Sequence, residues 1–519
     1  MNQKIRVENL ANIAVSQYAD SGDEGPLYIT SQPFRILFIK PYQGTTRMAH
    51  GPAYGILTLV SVLREKFSNK VTPFFRDMKI YAEYPHELYS LLPEYRPDVV
   101  AVSALNVEAA ASFEIARICK QCDPNIVTVL GGPLTLRQSV MVFQESQYDW
   151  VFEGAADRTF PQALVRHFNG KPLGVDIPGF SYRDINGDVI QNSKQDLITD
   201  LDAIPPPAWD LHDFEAHRRI DKSRMITNLA ERRYAYLFTS RGCPYLCNYC
   251  HDIFTKRFIY QSTERVISEI EHLHEKYGVV EFHFIDDIFN LHRPRVKEIM
   301  GAISKRWGKS LYLAFPNGLR GDILDKDTID SMVSAGTYNA TISIETVTPR
   351  MQTLVEKYLD VGKAKWAIEE FDRQGVVVHG SFMFGFPTES VDEIKSTLAY
   401  AIKSPLSHVH FFAVVPQPET PIYSQAFKES PQATESVRRA ESGAGDYNSD
   451  SSWYQLAYGY PLRRTLFFGM LAFYFYPKRM LKFIKIYKGL VVKGFLVIMK
   501  FVAQSIYRKL MRVVGRSDV

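Results

Sequence analysis

No stretch of this 519-residue chain reaches the roughly 18 to 20 uncharged apolar residues that a helix needs to cross a bilayer. The nearest approach, close to the C-terminus, is broken by Lys493 and Lys500. The N-terminal stretch MNQKIRVENLANIAVSQYADSGDEGPLY has no uninterrupted apolar segment and carries acidic residues early, so it does not read as a secretory signal. A cytoplasmic protein with reduced thiols is the expectation. Charge of one sign is also lacking: a formal +4 is small for this length and gives no argument for a nucleic-acid partner. No repeat of solenoid length recurs. Cysteine is scarce, five in all, and three of the five fall within TSRGCPYLCNYCHDIF (239–254). An intracellular cluster of thiols points to a metal or to redox chemistry rather than to a disulfide.

What is present is globular: 46% hydrophobic and 23% charged residues, in a chain long enough for two or three domains. From residue 34 short apolar runs alternate with helical segments. RILFIKP (35–41) predicts a buried strand, Tyr54 to Phe67 a helix, and VTPFF, DVVAVSALN, IVTVLGGP and DWVFEG further strands. Parallel strands need crossovers, so this rhythm predicts a doubly wound parallel sheet over 34–174, with ligands bound outside the carboxyl ends of its strands. Those ends carry Ser103, Leu105 and Asn106, then Gly131 and Gly132, then Glu153 and Gly154. Small residues there either admit a flat ligand or merely end the strands. Cys119 and Cys122 fall at the end of a helix and are assigned no chemistry. Residues 175–230 read as a linker with an Asn186–Gly187 hairpin, stiffened by PPP at 205–207.

A second alternating run spans 231–428. YAYLFTS, VEFHFIDD, LYLAFPNG, NATISIE, VVVHGSFMFGFP and VHFFAVVPQP are six strands with helices between them. A partial (β/α)6 barrel of the TIM type follows, with functional residues at the strand C-termini. Residues 429–452 are polar and Gly/Ser-rich and predict a flexible loop. Residues 453–519 predict a basic amphipathic helical region, and 1–33 an N-terminal extension.

Cys243, Cys247 and Cys250 lie on the loop after the first barrel strand with CxxxCxxC spacing. Three thiolates can hold three irons of a cubane and leave the fourth open. Structural zinc wants a fourth ligand, and His251, directly after Cys250, is poorly placed to close the same tetrahedron. RGCPYLCNYC resembles the signature of the radical S-adenosylmethionine (SAM) enzymes. The resemblance implies a 4Fe-4S cluster on these cysteines, SAM on its open iron, reductive formation of a 5′-deoxyadenosyl radical, and Tyr249 near the adenine. It further implies SAM-site contacts from Asp286 and Asp287 after the second strand, Glu345 after the fourth, and Gly380, Gly385 and Glu389 after the fifth. The alternative for either aspartate is a helix N-cap. VVPQPETPIY resembles the family's last motif but departs from it at Gln417, Pro418 and Glu419.

LGGP, VFEGAADRTF, IPGFSYRD and LDAIPPPAW extend the resemblance to the cobalamin-binding radical SAM enzymes, over about residues 34–425. This implies a Rossmann-like cobalamin domain, with Ser103, Leu105, Asn106, Gly131, Gly132, Glu153 and Gly154 as corrin contacts. No DxHxxG loop occurs; the region after the second strand reads RDMKIYAEYPHE. The implied cobalt has no protein imidazole below it, and Ser103 to Asn106 would face that side.

The function implied is methyl transfer to an unactivated carbon, supplied with electrons by a flavodoxin or ferredoxin. Two alternatives stay open: a ring- or bond-forming enzyme like the anaerobic cyclases of tetrapyrrole synthesis, and a sensor without turnover. LFFGMLAFYFY followed by many Lys and Arg either lies on anionic lipid or caps the barrel. The first would place the protein at the inner face of the membrane and favour a lipid or isoprenoid substrate.

Overall fold

The computed structural model describes residues 33–487, except 44–50, 137–138, 175, 185, 194–197, 225–231, 251–252, 255, 417–419 and 434–451. The departure at Gln417 to Glu419, most of the predicted flexible loop, and residues 488–519 lie outside the described residues.

The first sheet has strands β1 (Phe34–Lys40), β2 (Val71–Asp77), β3 (Val99–Ser103), β4 (Val127–Gly131), β5 (Trp150–Phe152), β6 (Phe180–Arg183) and β7 (Val189–Gln191), in the order β2-β1-β3-β4-β5-β6-β7. The first five are parallel. Successive side chains of a strand face opposite ways, and both faces here are apolar. Ile36, Phe38, Val99 and Ala101 pack on one side with helix α1 (Tyr54–Phe67). Leu37, Ile39, Val100 and Val102 pack on the other with α2 (Ala109–Cys122), where Cys119 is a core residue. This is the doubly wound arrangement. The hairpin expected in the linker instead extends this sheet: β6 pairs antiparallel with β5, and β7 with β6. Phe180 stacks on Phe152 at 4.8 Å, so an aromatic cross-strand contact draws the hairpin onto the sheet edge.

The second sheet holds β8 (Tyr234–Leu237), β11 (Glu281–Phe284), β12 (Tyr312–Leu319), β13 (Thr337–Glu345), β14 (Val377–Phe384) and β15 (His408–Ala413), all parallel and in sequence order. Two short strands, β9 (Ser240–Arg241) and β10 (Ile259–Tyr260), pair with each other and bracket the cysteine loop. Helices α3 (Thr263–Tyr277), α4 (Arg293–Trp307), α5 (Lys326–Ser334), α6 (Val361–Arg373) and α7 (Val391–Lys403) separate the strands. This is the six-stranded partial barrel. Its outward residues, Phe282, Leu313, Ile342, Val378 and Phe382 among them, form the main core under the helices. Its inward residues are of another kind: His283, Asn339, Thr341, Ser343, His379, Ser381 and His410 line a cavity.

Two features join the domains. Trp209, from the proline-rich linker, is 1% exposed within the barrel's core, and its indole N–H donates to Glu269 at 3.3 Å. Arg241, beside the cysteine loop, makes a buried ion pair with Asp157 of the first domain at 2.8 Å.

The described part of the C-terminal region caps the barrel. Helices α8 (Ser452–Tyr458) and α9 (Leu462–Tyr474) bring Trp453, Tyr454, Leu462, Leu466 and Phe473 into the main core, and α10 (Pro477–Tyr487) buries Arg479 against Phe473. Gly469 admits α9 close to α7 and β15; a Cβ there would meet Leu398 at 2.8 Å. The same helices leave Phe467, Phe468, Met470, Phe475, Met480 and Leu481 exposed. Among the described residues no helix is long and apolar enough to cross a membrane.

Candidate functional site

The cysteine loop is tied down at its entry. Asp287, just past β11, accepts a hydrogen bond from the Gly242 amide at 3.1 Å, and Gly242 takes a left-handed φ of 84° that a side chain would resist. Asp286 is 1% exposed and accepts from the hydroxyls of Thr239 and Ser240; burial raises its pKa. Neither aspartate caps a helix, because α4 begins at Arg293 with His292 as its cap. Asn248 bonds the carbonyl of Leu354 at 2.7 Å and secures the middle of the loop.

Cys243 and Cys247 are half-buried and Cys250 is exposed. Although part of Cys250 reaches the surface, the protein packed around its thiol first, and the neighbouring thiols second, push it up to about 12, and burial raises Cys243. Electrostatic coupling among the three means that they share one neighbourhood. Among the described residues no three His, Cys, Asp or Glu side chains converge on a single ion. A cubane does not require that, because each cysteine holds a different iron. The donor set, three thiols on one anchored loop, fits such a cluster, and loading it would release protons from the thiols.

Opposite the loop stands Glu345, the last residue of β13, 6% exposed and at φ 66°. Lys357 donates to its Oε1 at 3.0 Å and Ser381 to its Oε2 at 3.3 Å. Glu356 and Tyr358, which flank Lys357, also have positive φ. Three non-glycine residues in this region concentrate backbone strain around one buried ion pair, a pattern common at functional sites. Tyr249 packs edge-on against Phe386 with centroids 5.6 Å apart, and burial followed by the charge of Glu345 raises its hydroxyl.

The glycines in and just after β14 divide. Gly380 faces the outer layer, where a Cβ would meet Leu406 at 2.5 Å, while its neighbours His379 and Ser381 line the cavity. Expected beside the cofactor, it is small for packing. Gly385 has φ 86°, and its amide donates to Glu389 Oε2 at 2.6 Å; Phe386 donates to the same oxygen at 3.1 Å. Burial pushes Glu389 up to about 7. This turn is held from behind by the C-terminal cap: Tyr454 bonds the Glu389 carbonyl, and the Tyr458 hydroxyl accepts from the Thr388 amide at 2.8 Å.

At the first domain's strand ends, Ser103 and Leu105 line the same cavity as the barrel interior, a space of about 580 Å³. Gly131 faces open space, which leaves room for a flat ligand. Gly132 is required by the backbone, since a Cβ would lie 2.8 Å from the Ala104 carbonyl. Asn106 begins a helical turn after β3, and the Glu153 amide bonds Gly179, so Glu153 and Gly154 serve the hairpin junction. Asn106, Gly131, Gly132, Glu153 and Gly154 do not line the cavity. Lys40 and Lys79 do, and both pair with the buried Glu108. After β2, Asp77 caps the next turn, while His86 is largely exposed and stacks on Tyr84.

Sequence reasoning missed Lys357, Ser381, Thr239 and Ser240, and the cavity residues His283, Asn339, His379 and His410. For His379, Ser381 and His410 the signal was present as polar residues at alternate positions in HGS and HVH, a period of two that marks one face of a strand.

Residues 237–401 match the family model of the radical SAM superfamily. An uncharacterised methyltransferase of Pyrococcus horikoshii is 26% identical over 460 residues, 88% of this chain and 94% of that protein. An anaerobic magnesium-protoporphyrin IX monomethyl ester cyclase of Rubrivivax gelatinosus is 24% identical, covering 71% of this chain and 65% of its own. Among solved structures, the radical SAM methyltransferase TsrM of Kitasatospora setae, with cobalamin and a [4Fe-4S] cluster bound, superposes with a TM-score of 0.61 at 16% identity, over 76% of each chain. Residues 237–401 form a radical SAM superfamily domain, and the chain has the two-domain fold seen in TsrM.

Proposed function

We propose that this enzyme is a cobalamin-dependent radical SAM methyltransferase acting on an unactivated carbon of an amphiphilic, lipid-like substrate. The observation that carries this reading is the shared cavity, whose walls come from the first domain's strand ends on one side and the barrel interior on the other. When bound, the cluster with SAM would supply hydrogen abstraction and cobalamin would supply the methyl group. Cys243, Cys247 and Cys250 would hold the cluster. Glu345, oriented by Lys357, suits a contact to the amino or ribose groups of SAM, with Tyr249 on the adenine side. The Gly385 to Glu389 turn would wall that site, and Asp286 and Asp287 would hold the cysteine loop rather than touch the substrate. Ser103, Leu105 and Gly131 would meet the corrin. An outside electron donor such as a flavodoxin or ferredoxin is required.

The lipid part of the reading rests on the C-terminal cap. Its exposed apolar residues sit beside exposed Arg463, Arg464 and Lys478. From residue 452 onward Asp518 is the one acidic residue. Such a face suits anionic lipid.

The test uses anaerobically reconstituted protein with cobalamin, reductant and SAM, and Cys247→Ala as the blank. 5′-Deoxyadenosine and S-adenosylhomocysteine formed together, and lost in the blank, are the expected result. Deoxyadenosine alone would favour a cyclase-like reaction; neither product, with both cofactors bound, would favour a sensor.

A further inference from the structure

The barrel half of the cavity is lined by polar groups. Its described lining includes no Lys, Arg, Asp or Glu from the barrel; both charged lining residues, Lys40 and Lys79, belong to the first domain. What the barrel offers instead is a set of hydrogen-bonding groups interleaved with aromatic faces.

Two chains of hydrogen bonds decide which way those groups point. On one wall, the Asn339 amide donates to His379 Nε2 at 3.1 Å, which leaves the His379 proton on Nδ1 to donate to His410 Nε2 at 3.4 Å. The His410 proton must then sit on Nδ1, a donor at the half-buried end of the chain. Burial lowers the pKa of both rings, and neighbouring imidazoles lower His379 further, so both are neutral at pH 7. On the other wall, buried Glu281 accepts from His283 Nε2 at 2.6 Å and from the Tyr338 hydroxyl. The Tyr338 oxygen is left as an acceptor, and so is Nδ1 of His283 in its neutral form.

We infer that the barrel lumen binds an uncharged, hydroxyl-bearing group of the substrate, held between the His410 donor and the His283 and Tyr338 acceptors. The inference rests on the cavity being the substrate site. A hydroxyl satisfies both walls because it donates and accepts. An anionic oxygen would face acceptors, and an ammonium would face a donor, each without a countercharge among the barrel residues that line the cavity. A bare hydrocarbon would leave the polar wall unpaired. For a membrane-borne amphiphile, the hydroxylated head would therefore enter the lumen while the tail stays outside.

The probes are octyl β-glucoside, octyl phosphate and octylammonium, each below its micellar concentration, titrated calorimetrically into the full-length reconstituted protein. SAM and reductant are omitted, so the outcome is independent of whether the enzyme methylates anything. The glucoside is expected to bind and the two charged probes to bind at least about tenfold more weakly. His410→Phe and Asn339→Leu should each weaken glucoside binding by about tenfold or more, and His410→Asn, whose amide can replace the Nδ1–H donor, should restore it. Thermal melting checks that each variant is folded; should His410→Phe fail that check, Asn339→Leu decides. No binding of the glucoside, equal or tighter binding of a charged probe, or glucoside binding unchanged in the folded variants would overturn the inference.

Discussion

Glu269 shows how much a single buried group can shape this molecule's response to pH. It is 3% exposed, accepts the Trp209 indole N–H, and burial pushes its pKa up to about 7 from an ordinary value near 4.5. The folded state therefore holds its proton more tightly than the unfolded chain. Stability from this group is fully present below about pH 4.5, where both states are protonated, and is lost as pH rises through about 7, by up to about 3 kcal/mol. Glu269→Gln keeps an acceptor for Trp209 and removes the titration. Melting of variant and parent should then diverge between pH 5 and pH 8, with the variant the more stable at pH 8; parallel curves would contradict the assignment. Glu345 and Lys357 form a buried ion pair at 3.0 Å. Lys357→Met would strand a buried carboxylate at a cost of about 3–5 kcal/mol, most of it recovered in the double variant with Glu345→Gln. A double variant no more stable than the single one would rule out the pair as the source.

At the scale of elements, the C-terminal helices cannot be treated as a detachable tail. Arg479 is 4% exposed, donates to the carbonyls of Leu406, Phe473, Ile402 and Ser404, and stacks on Phe473 at 3.3 Å. Arg479→Met would leave buried carbonyls unpaired and should cost about 3 kcal/mol or more by denaturant unfolding. Deleting residues 461–519 would also strip Leu462 and Phe473 from the main core. Loss of membrane binding on deletion would thus say nothing about lipid. The informative change is on the outer face: Phe467→Ser, Phe468→Ser and Leu481→Ser together should abolish flotation with anionic liposomes and leave the melting temperature close to the parent's. Unchanged flotation would remove the membrane from the proposal. Most of these elements were legible in sequence. The helix over Tyr54–Phe67 and the order of the barrel strands follow from local period and from glycine and proline punctuation, both encoded within a few residues of each position. The hairpin's placement was not, because its pairing with β5 depends on Phe152 and Phe180, residues distant in sequence that only the fold brings together.

At the scale of the whole molecule, the sequence by itself determined the strand-and-helix alternation that builds parallel strands in both domains and the thiol triplet on the loop after β8, since both are written in short contiguous stretches. Composition also determined the absence of a spanning helix among the described residues. The tertiary structure decided everything that needs residues from several strands at one place. It turned the aspartates after β11 toward Gly242 and the Thr239 and Ser240 hydroxyls. It gave Glu345 its lysine and set the C-terminal cap behind the Gly385 turn. It also assembled a histidine-lined lumen facing the first domain. The physical reason is the difference in range. Periodicity and chelating spacing act over a turn or a loop, whereas burial, ion pairing and the direction of a hydrogen-bond chain are set by which strands the sheet places side by side.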